Sequence, residues 1–518
     1  MSEGLGRESV GLSLGFSTIQ VTETAWNYAD LAQLTEDLIE WFRQLEQQST
    51  MSGLGGLEAV LKLLVLRRWA LLAKEFGQLN AVSTDKDIER IRLAETIWEK
   101  ITATGAGITT FVETQMERLE SQQPDYQGLF TSTVLFNWQG VPELMLRRLV
   151  ERLAMVEEAS LLTPVYVDLV LLSGLFQAWY ERESRSFRAV FLSRPLVTLM
   201  SRVLAMPPTG TVYDPFCGVG QLLKAAVADQ LGDSSTSQGE RTGYGHLAAP
   251  ELATIARLSF LLLGIHSVEW QTGDSLTHPF LGKRGQLQQF ERVISVFPYF
   301  PHAAQQQDPH DRYHRFPYGI PASTESDGLC IQQVLSSLKP SGRAVLLVTA
   351  GFLFRQSARF IRRGLIADDV IRTIICLPDL AFRMHNRATI PMVLLVLEKD
   401  KSSAYQGGWQ LIDASQLVIN AQREFPLDGI VSAVEGVNPL VTLSSDMNPL
   451  VVCWVSAEQC QREDYNLNPP LYLPNPTAVF NREQSLKELL EAESERRFAQ
   501  ADVDECLRRL GWNLPTDS

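Results

Sequence analysis

The 518-residue sequence has no Cys-x-x-Cys pair: its six cysteines, Cys217, Cys330, Cys376, Cys453, Cys460 and Cys506, are scattered. That spacing indicates neither a zinc site nor a disulfide framework, and a reducing cytoplasm is the expected compartment. An uninterrupted apolar span is also missing, because the most apolar run, LLTPVYVDLVLLSGLFQAW, is broken by Pro164 and Asp168. The N-terminal MSEGLGRESVGLSLG carries no basic-then-apolar leader pattern, so no membrane span is expected. Positive charge is in deficit, with 46 Lys and Arg against 60 Asp and Glu, a net charge of -14 and a pI of about 5.1. This excludes a broadly basic nucleic-acid coat and leaves only a local groove, or a surface shared with a partner. Walker loop, Ser-His-Asp order and kinase signature are lacking as well. His310 and His314 flank Asp311 without a third ligand, so no metal is expected.

What is present suits a large globular chain, 45% hydrophobic and 20% charged, of two or three domains. Residues 1–25 are Gly- and Ser-rich, expected to be flexible or strand-like. Residues 26–186 read as a helical domain, since LEAVLKLLVLRRWALLAKEF and VPELMLRRLVERLAMVEEA repeat apolar residues every three or four positions. From Phe187 the pattern changes to short apolar runs separated by helices: TVYDPF, GYGHL, SVEWQTGDSL, RVISVFP, GRAVLLVTA, VIRTIICLP and PMVLLVLEK. Strands without polar alternation predict a doubly wound, mostly parallel α/β domain over 187–401, with ligands beyond the strands' carboxyl ends. An irregular extension is expected over 402–480 and a charged helix over 481–518, striped by Leu486, Leu489, Leu490, Phe498, Val503, Leu507 and Leu510. That stripe needs a partner, either this chain's own helices or another subunit's.

One strand-to-helix loop, VYDPFCGVGQLLKAA, presents Asp214, Pro215, Gly218 and Gly220, with glycines that let a ligand approach the backbone. Another strand ends in Gly273-Asp274, a pattern that also makes an ordinary turn. A third, FERVISVFPYF, runs into a rigid aromatic loop of Val296, Phe297, Pro298 and Tyr299. The run FRQSARFIRR sets Arg355, Arg359, Arg362 and Arg363 at helical spacing, a face suited to DNA phosphates or simply to solvent.

In its Asp-Pro-x-Cys-Gly-x-Gly loop the chain resembles N6-adenine DNA methyltransferases. The stretch from Ser326 to Lys401, with FLFR, FIRRGLI and LPDLAF in order, resembles the modification subunits of type I restriction-modification systems, as do FLSRPLV, YHRFPYG and DYNLNPPLY. The resemblance implies the S-adenosylmethionine-dependent methyltransferase fold, that cofactor, a flipped adenine as acceptor, and sequence reading by a separate specificity subunit. By position it implies cofactor roles for Asp214, Pro215, Gly218, Gly220 and Asp274.

Several positions depart from the family pattern. Val219 and Gln221 stand where Ser and Gly are usual, and Leu192 and Ser193 where a Thr-Pro helps frame the cofactor's methionine end. Leu247 replaces the acidic residue that accepts from the ribose hydroxyls, with Glu251 one turn on. The Asn-Pro-Pro-Phe that activates the target amine is replaced by Val296-Phe297-Pro298-Tyr299, although Tyr299 or Phe300 retains a ring for stacking. Asn468-Pro469-Pro470 follows no apolar strand and is not the catalytic loop. The expected function is that of a catalytically degenerate subunit that binds DNA or a partner in a defence or restriction-like assembly; the alternatives are an active adenine-N6 methyltransferase and a scaffold that binds neither cofactor nor DNA.

Overall fold

The computed structural model describes residues 10–12, 19–21, 28–48, 53–78, 96–122, 126–131, 137–156, 158–162, 164, 167–187, 191–228, 241–282, 284–297, 311–321, 326–378, 381–382, 391–417, 426–436, 443–445 and 448–473. The chain forms two compact units, Met1–Leu471 and Tyr472–Ser518. The expected terminal helix and its leucine stripe lie outside the described residues.

Near the N-terminus, Val10–Leu12 pairs antiparallel with Ile19–Val21. The helical pattern then produces α1 (Tyr28–Gln48), α2 (Gly53–Gln78), α3 (Ile108–Gln122), α4 (Glu143–Ala154) and α5 (Ser173–Phe187). The broken apolar run forms a π-helical turn, Val167–Leu172, leading into α5. Helix α2 is buried around its circumference from Leu54 to Val65, so its core includes Glu58 and Lys62, paired at 2.6 Å. Burial raises the Glu58 carboxyl and lowers the Lys62 ammonium, each opposed by its partner. Among described residues, no helix is long and apolar enough to cross a membrane.

The seven apolar runs all become strands: β1 (Gly210–Asp214), β2 (Arg241–Leu247), β3 (Val268–Thr272), β4 (Phe290–Val296), β5 (Leu338–Thr349), β6 (Ile371–Cys376) and β7 (Met392–Glu398). Helices α6 (Arg194–Leu204), α7 (Gln221–Ala228), α8 (Pro250–Leu263), α9 (Asp327–Ser336) and α10 (Arg359–Ala367) accompany them. Every residue of β6 is buried, as are five of β7, which is why these runs show no polar alternation. Helix α8 begins with Pro250 and ends at Gly264 in the left-handed conformation, the expected start and stop. It packs along α2, so the helical part and the sheet share one unit.

The sheet does not stop at Lys401. Strands β8 (Gly408–Asp413), β9 (Leu443–Ser445) and β10 (Asn448–Ser456) extend it to the spatial order β9-β10-β8-β6-β7-β5-β4-β1-β2-β3. Thus part of the expected irregular extension is regular sheet. The physical reason lies in β6: a strand buried along its whole length cannot be an edge, and β8 pairs parallel with it from Gln410 opposite Thr373 to Asp413 opposite Cys376. Strands β3, β2, β1, β4 and β5 run parallel, whereas β7 is antiparallel to both β5 and β6. The carboxyl ends of β1 to β5 therefore share one edge of the sheet.

Candidate functional site

At that edge the β1 loop is held from within. Asp214 is 2% exposed, and its Oδ1 accepts from Ser295 Oγ at 2.6 Å and Phe216 N at 3.1 Å. Burial raises the carboxyl to about 7 against the lowering pull of those two donors. Gly218 and Gly220 have φ of 54° and 85°. A Cβ on Gly220 would lie 2.5 Å from Phe260 Cε2, while one on Gly218 would meet nothing within 4 Å. The second glycine is thus required by packing and the first by conformation alone. Pro215 and Val219 are buried in the same turn.

Two departures from the family pattern are bonded to each other. Gln221, the first residue of α7, accepts through Oε1 from Leu192 N at 3.1 Å and donates through Nε2 to Leu192 O at 3.3 Å. One side-chain amide therefore clips the segment before α6 to the glycine loop.

Leu247 ends β2 with its side chain 1% exposed in the hydrophobic core, and its carbonyl accepts from Gly273 N at 2.9 Å. Glu251 is half-buried in the first turn of α8. Asp274 follows β3, and its Oδ1 accepts from Leu276 N at 2.9 Å while its carbonyl accepts from His278 N at 2.7 Å. It thus makes the turn its sequence also predicts.

Val296, the last residue of β4, packs on the core half-buried. Phe297 is 6% exposed and meets Phe216 edge to face, ring centroids 5.6 Å apart at 81°. The pair joins the β1 loop to the end of β4. Pro298, Tyr299 and Phe300 lie outside the described residues.

The four arginines separate. Arg362 is 1% exposed and donates to the carbonyls of Tyr465 (2.7 Å), Phe352 (2.8 Å) and Arg355 (2.7 Å). It is removed from any phosphate-binding face, because its guanidinium is fully engaged inside the protein. Arg359 pairs with Asp464, and both Arg359 and Arg363 lie near the Tyr465 ring, at 5.7 and 5.9 Å. Arg355 and Arg363 are exposed, beside the exposed rings of Phe354 and Phe360. Leu467 N donates to Leu353 O at 2.8 Å, which brings the Asn468-Pro469-Pro470 segment to the loop after β5.

Asp311 is engaged by Arg315, Nε to Oδ1 at 3.0 Å, and Phe316 N donates to its Oδ2 at 3.1 Å. His310 lies outside the described residues, among which no group of three His, Cys, Asp or Glu could hold a metal ion.

Three structural residues were missed in the sequence. Ser295, the lone hydroxyl in an apolar run, links β4 to β1. Arg315, within YHRFPYG, is buried and reaches Gln333 Oε1 at 2.8 Å and Ser275 O at 3.4 Å. His246 is 1% exposed, with Nδ1 3.3 Å from Tyr213 Oη, and its carbonyl accepts from Cys217 N at 3.0 Å. Burial pushes its imidazole down to about 4, so the ring behind the glycine loop is neutral.

Against known proteins, the family described as N-6 DNA Methylase matches residues 174–478. The Type I restriction enzyme MjaVII methylase subunit of Methanocaldococcus jannaschii is 27% identical over 305 residues, covering 55% of this chain and 49% of the relative. The HindI methylase subunit of Haemophilus influenzae is 23% identical over 312 residues, 57% of this chain and 65% of the relative. The chain thus spans about half the length of the archaeal relative. Among solved structures, a type I restriction-modification methyltransferase subunit from Streptococcus thermophilus aligns with a TM-score of 0.66 at 18% identity, over 87% of this chain and all of that one. A modification subunit of a putative type I restriction enzyme from Vibrio vulnificus gives 0.56 at 15% identity, over 84% and 97%. These TM-scores establish a shared fold.

Proposed function

Because the chain belongs to the N-6 DNA methylase family, we propose that it works as a catalytically silent subunit of the type I restriction-modification kind, binding DNA together with a specificity-type partner in a cytoplasmic defence assembly. The observation that carries this reading is the end of β4, where Val296 packs on the core and Phe297 is buried against Phe216. No amide stands at those two positions, and hydrocarbon cannot accept hydrogen bonds from a target amine. Losing an acceptor that acts in the transition state costs about 10²- to 10³-fold in rate. Leu247 adds to the deficit, since each ribose hydroxyl left unpaired in a buried site costs about 1–3 kcal/mol. S-adenosylmethionine, the family's methyl donor, therefore fits these residues poorly.

DNA contact falls to the exposed Arg355 and Arg363, in the same stretch as the exposed Phe354 and Phe360, while Arg359 is held by Asp464. Phosphate contacts of this kind supply affinity without sequence information, which suits a chain whose partner reads the sequence.

The test is incorporation of labelled methyl groups into plasmid DNA by the complex purified with its natural partners. The expected signal is that of a no-enzyme control, and any excess over it removes the proposal. The opposing reading, an active methyltransferase with a diverged pocket, predicts incorporation above that control.

A further inference from the structure

We infer that the chain closes on itself where the family binds S-adenosylmethionine, with Gln221 standing where the family has a glycine, Phe297 in the loop that replaces Asn-Pro-Pro-Phe, and Leu247 where the family has an acidic residue; the inference rests on the silent reading above. The three residues stand at the carboxyl ends of β1, β4 and β2, which are neighbours in the sheet. Gln221 stands where the family usually has a glycine, and its amide binds both backbone groups of Leu192, which with Ser193 stands where a Thr-Pro would frame the cofactor's methionine end. The Gln221 side chain is turned onto the chain itself. It uses acceptor and donor together on one buried residue 29 positions away.

Phe297 closes the middle. The rings of Phe216 and Phe297 are in contact between the β1 loop and the end of β4. At 6% exposure Phe297 offers no face on which a base could stack. Leu247 closes the ribose end, buried in the core where an acceptor would be needed. All three residues pack or hydrogen-bond within the chain, which makes this end of the sheet a structural joint between the segment before α6, the glycine loop and β4.

The test is calorimetric titration with S-adenosylhomocysteine, accompanied by melting curves. Wild type is expected to show no saturable heat at millimolar ligand, and the triple variant Gln221→Gly, Phe297→Ala, Leu247→Asp to bind at least about tenfold more tightly. Gln221→Gly alone is expected to lower the melting temperature by about 2 °C, because it cuts the clip to Leu192. A folded triple variant that binds no better than wild type overturns the seal, as does an unchanged melting temperature for Gln221→Gly. The milder pair Gln221→Ala with Phe297→Ala, which buries no new charge, is held to the same criterion if the triple variant does not fold. Micromolar binding by wild type overturns the seal alone if the methyl-incorporation assay stays at background, and overturns the silent reading too if it does not.

Discussion

Ser295 Oγ, on β4, donates to Asp214 Oδ1, at the end of β1, across 2.6 Å inside the sheet. The bond joins the strand that ends at Val296 to the strand that ends at the glycine loop. It also holds a carboxyl that burial has brought to about 7, above its ordinary 3.8. Because the folded value is the higher one, the stabilising contribution is complete below pH 3.8 and is lost as pH rises through 7. Asp214→Asn should therefore match wild type near pH 4 and be more stable at pH 8, by at most about 4 kcal/mol. Urea unfolding at the two pH values measures this; a variant less stable at pH 8 would mean that the native carboxylate is ionised and favoured.

His246 has the opposite sign. Its folded value of about 4 lies below the ordinary 6.5, so the unfolded chain takes up the proton first. Stability from this residue is full above pH 6.5 and falls as pH drops toward 4, by up to about 3 kcal/mol. The two slopes oppose one another in the same window. His246→Gln should unmask the Asp214 slope, giving a protein whose stability rises on acidification from pH 6.5 to 4.5.

The two loop glycines should differ. Gly218→Ala meets open space and pays only for its left-handed backbone, about 1 kcal/mol. Gly220→Ala must also displace the Phe260 ring, for a total of about 3 kcal/mol. Equal losses in denaturant midpoint would show that the Phe260 ring yields freely.

Arg362 and Arg363 are neighbours in sequence with separate jobs. Arg362→Met strands three carbonyls and should cost about 3 kcal/mol in unfolding experiments. Arg363→Ala should leave stability within about 0.5 kcal/mol. In gel shifts of the assembled complex on duplex DNA it should reduce the salt slope by about one. An unchanged slope would take Arg363 off the DNA face.

Much of the fold was legible because burial on both faces leaves a plain mark. IRTIIC and MVLLVLE carry no alternation of polar residues, only Arg372, Thr373 and Glu398, and each is a central strand. The sheet beyond Lys401 was harder to read, since β8 and β10 lie near the edge and carry Gln410, Asp413 and Asn448 among their apolar residues. At the site, local chemistry could be read and long-range contact could not. The glycine loop, the missing amide and Leu247 are visible as letters. The clip from Gln221 to Leu192 and the contact of Phe216 with Phe297 join residues far apart in sequence. Arg362 shows the same limit: helical spacing placed it in a basic row, but its fate was set by Tyr465, 103 residues later.

The placement of β7 bears on how this protein is made. Strand β6 has hydrogen-bonding neighbours only in β7 and β8, both of which come after it in the chain. On the ribosome, Ile371–Cys376 therefore emerges as an unmated apolar ribbon and must wait for Met392–Glu398 before it can pair. That interval is when a nascent chain is most open to sticking to its neighbours, so chaperone dependence should centre on this short window of translation.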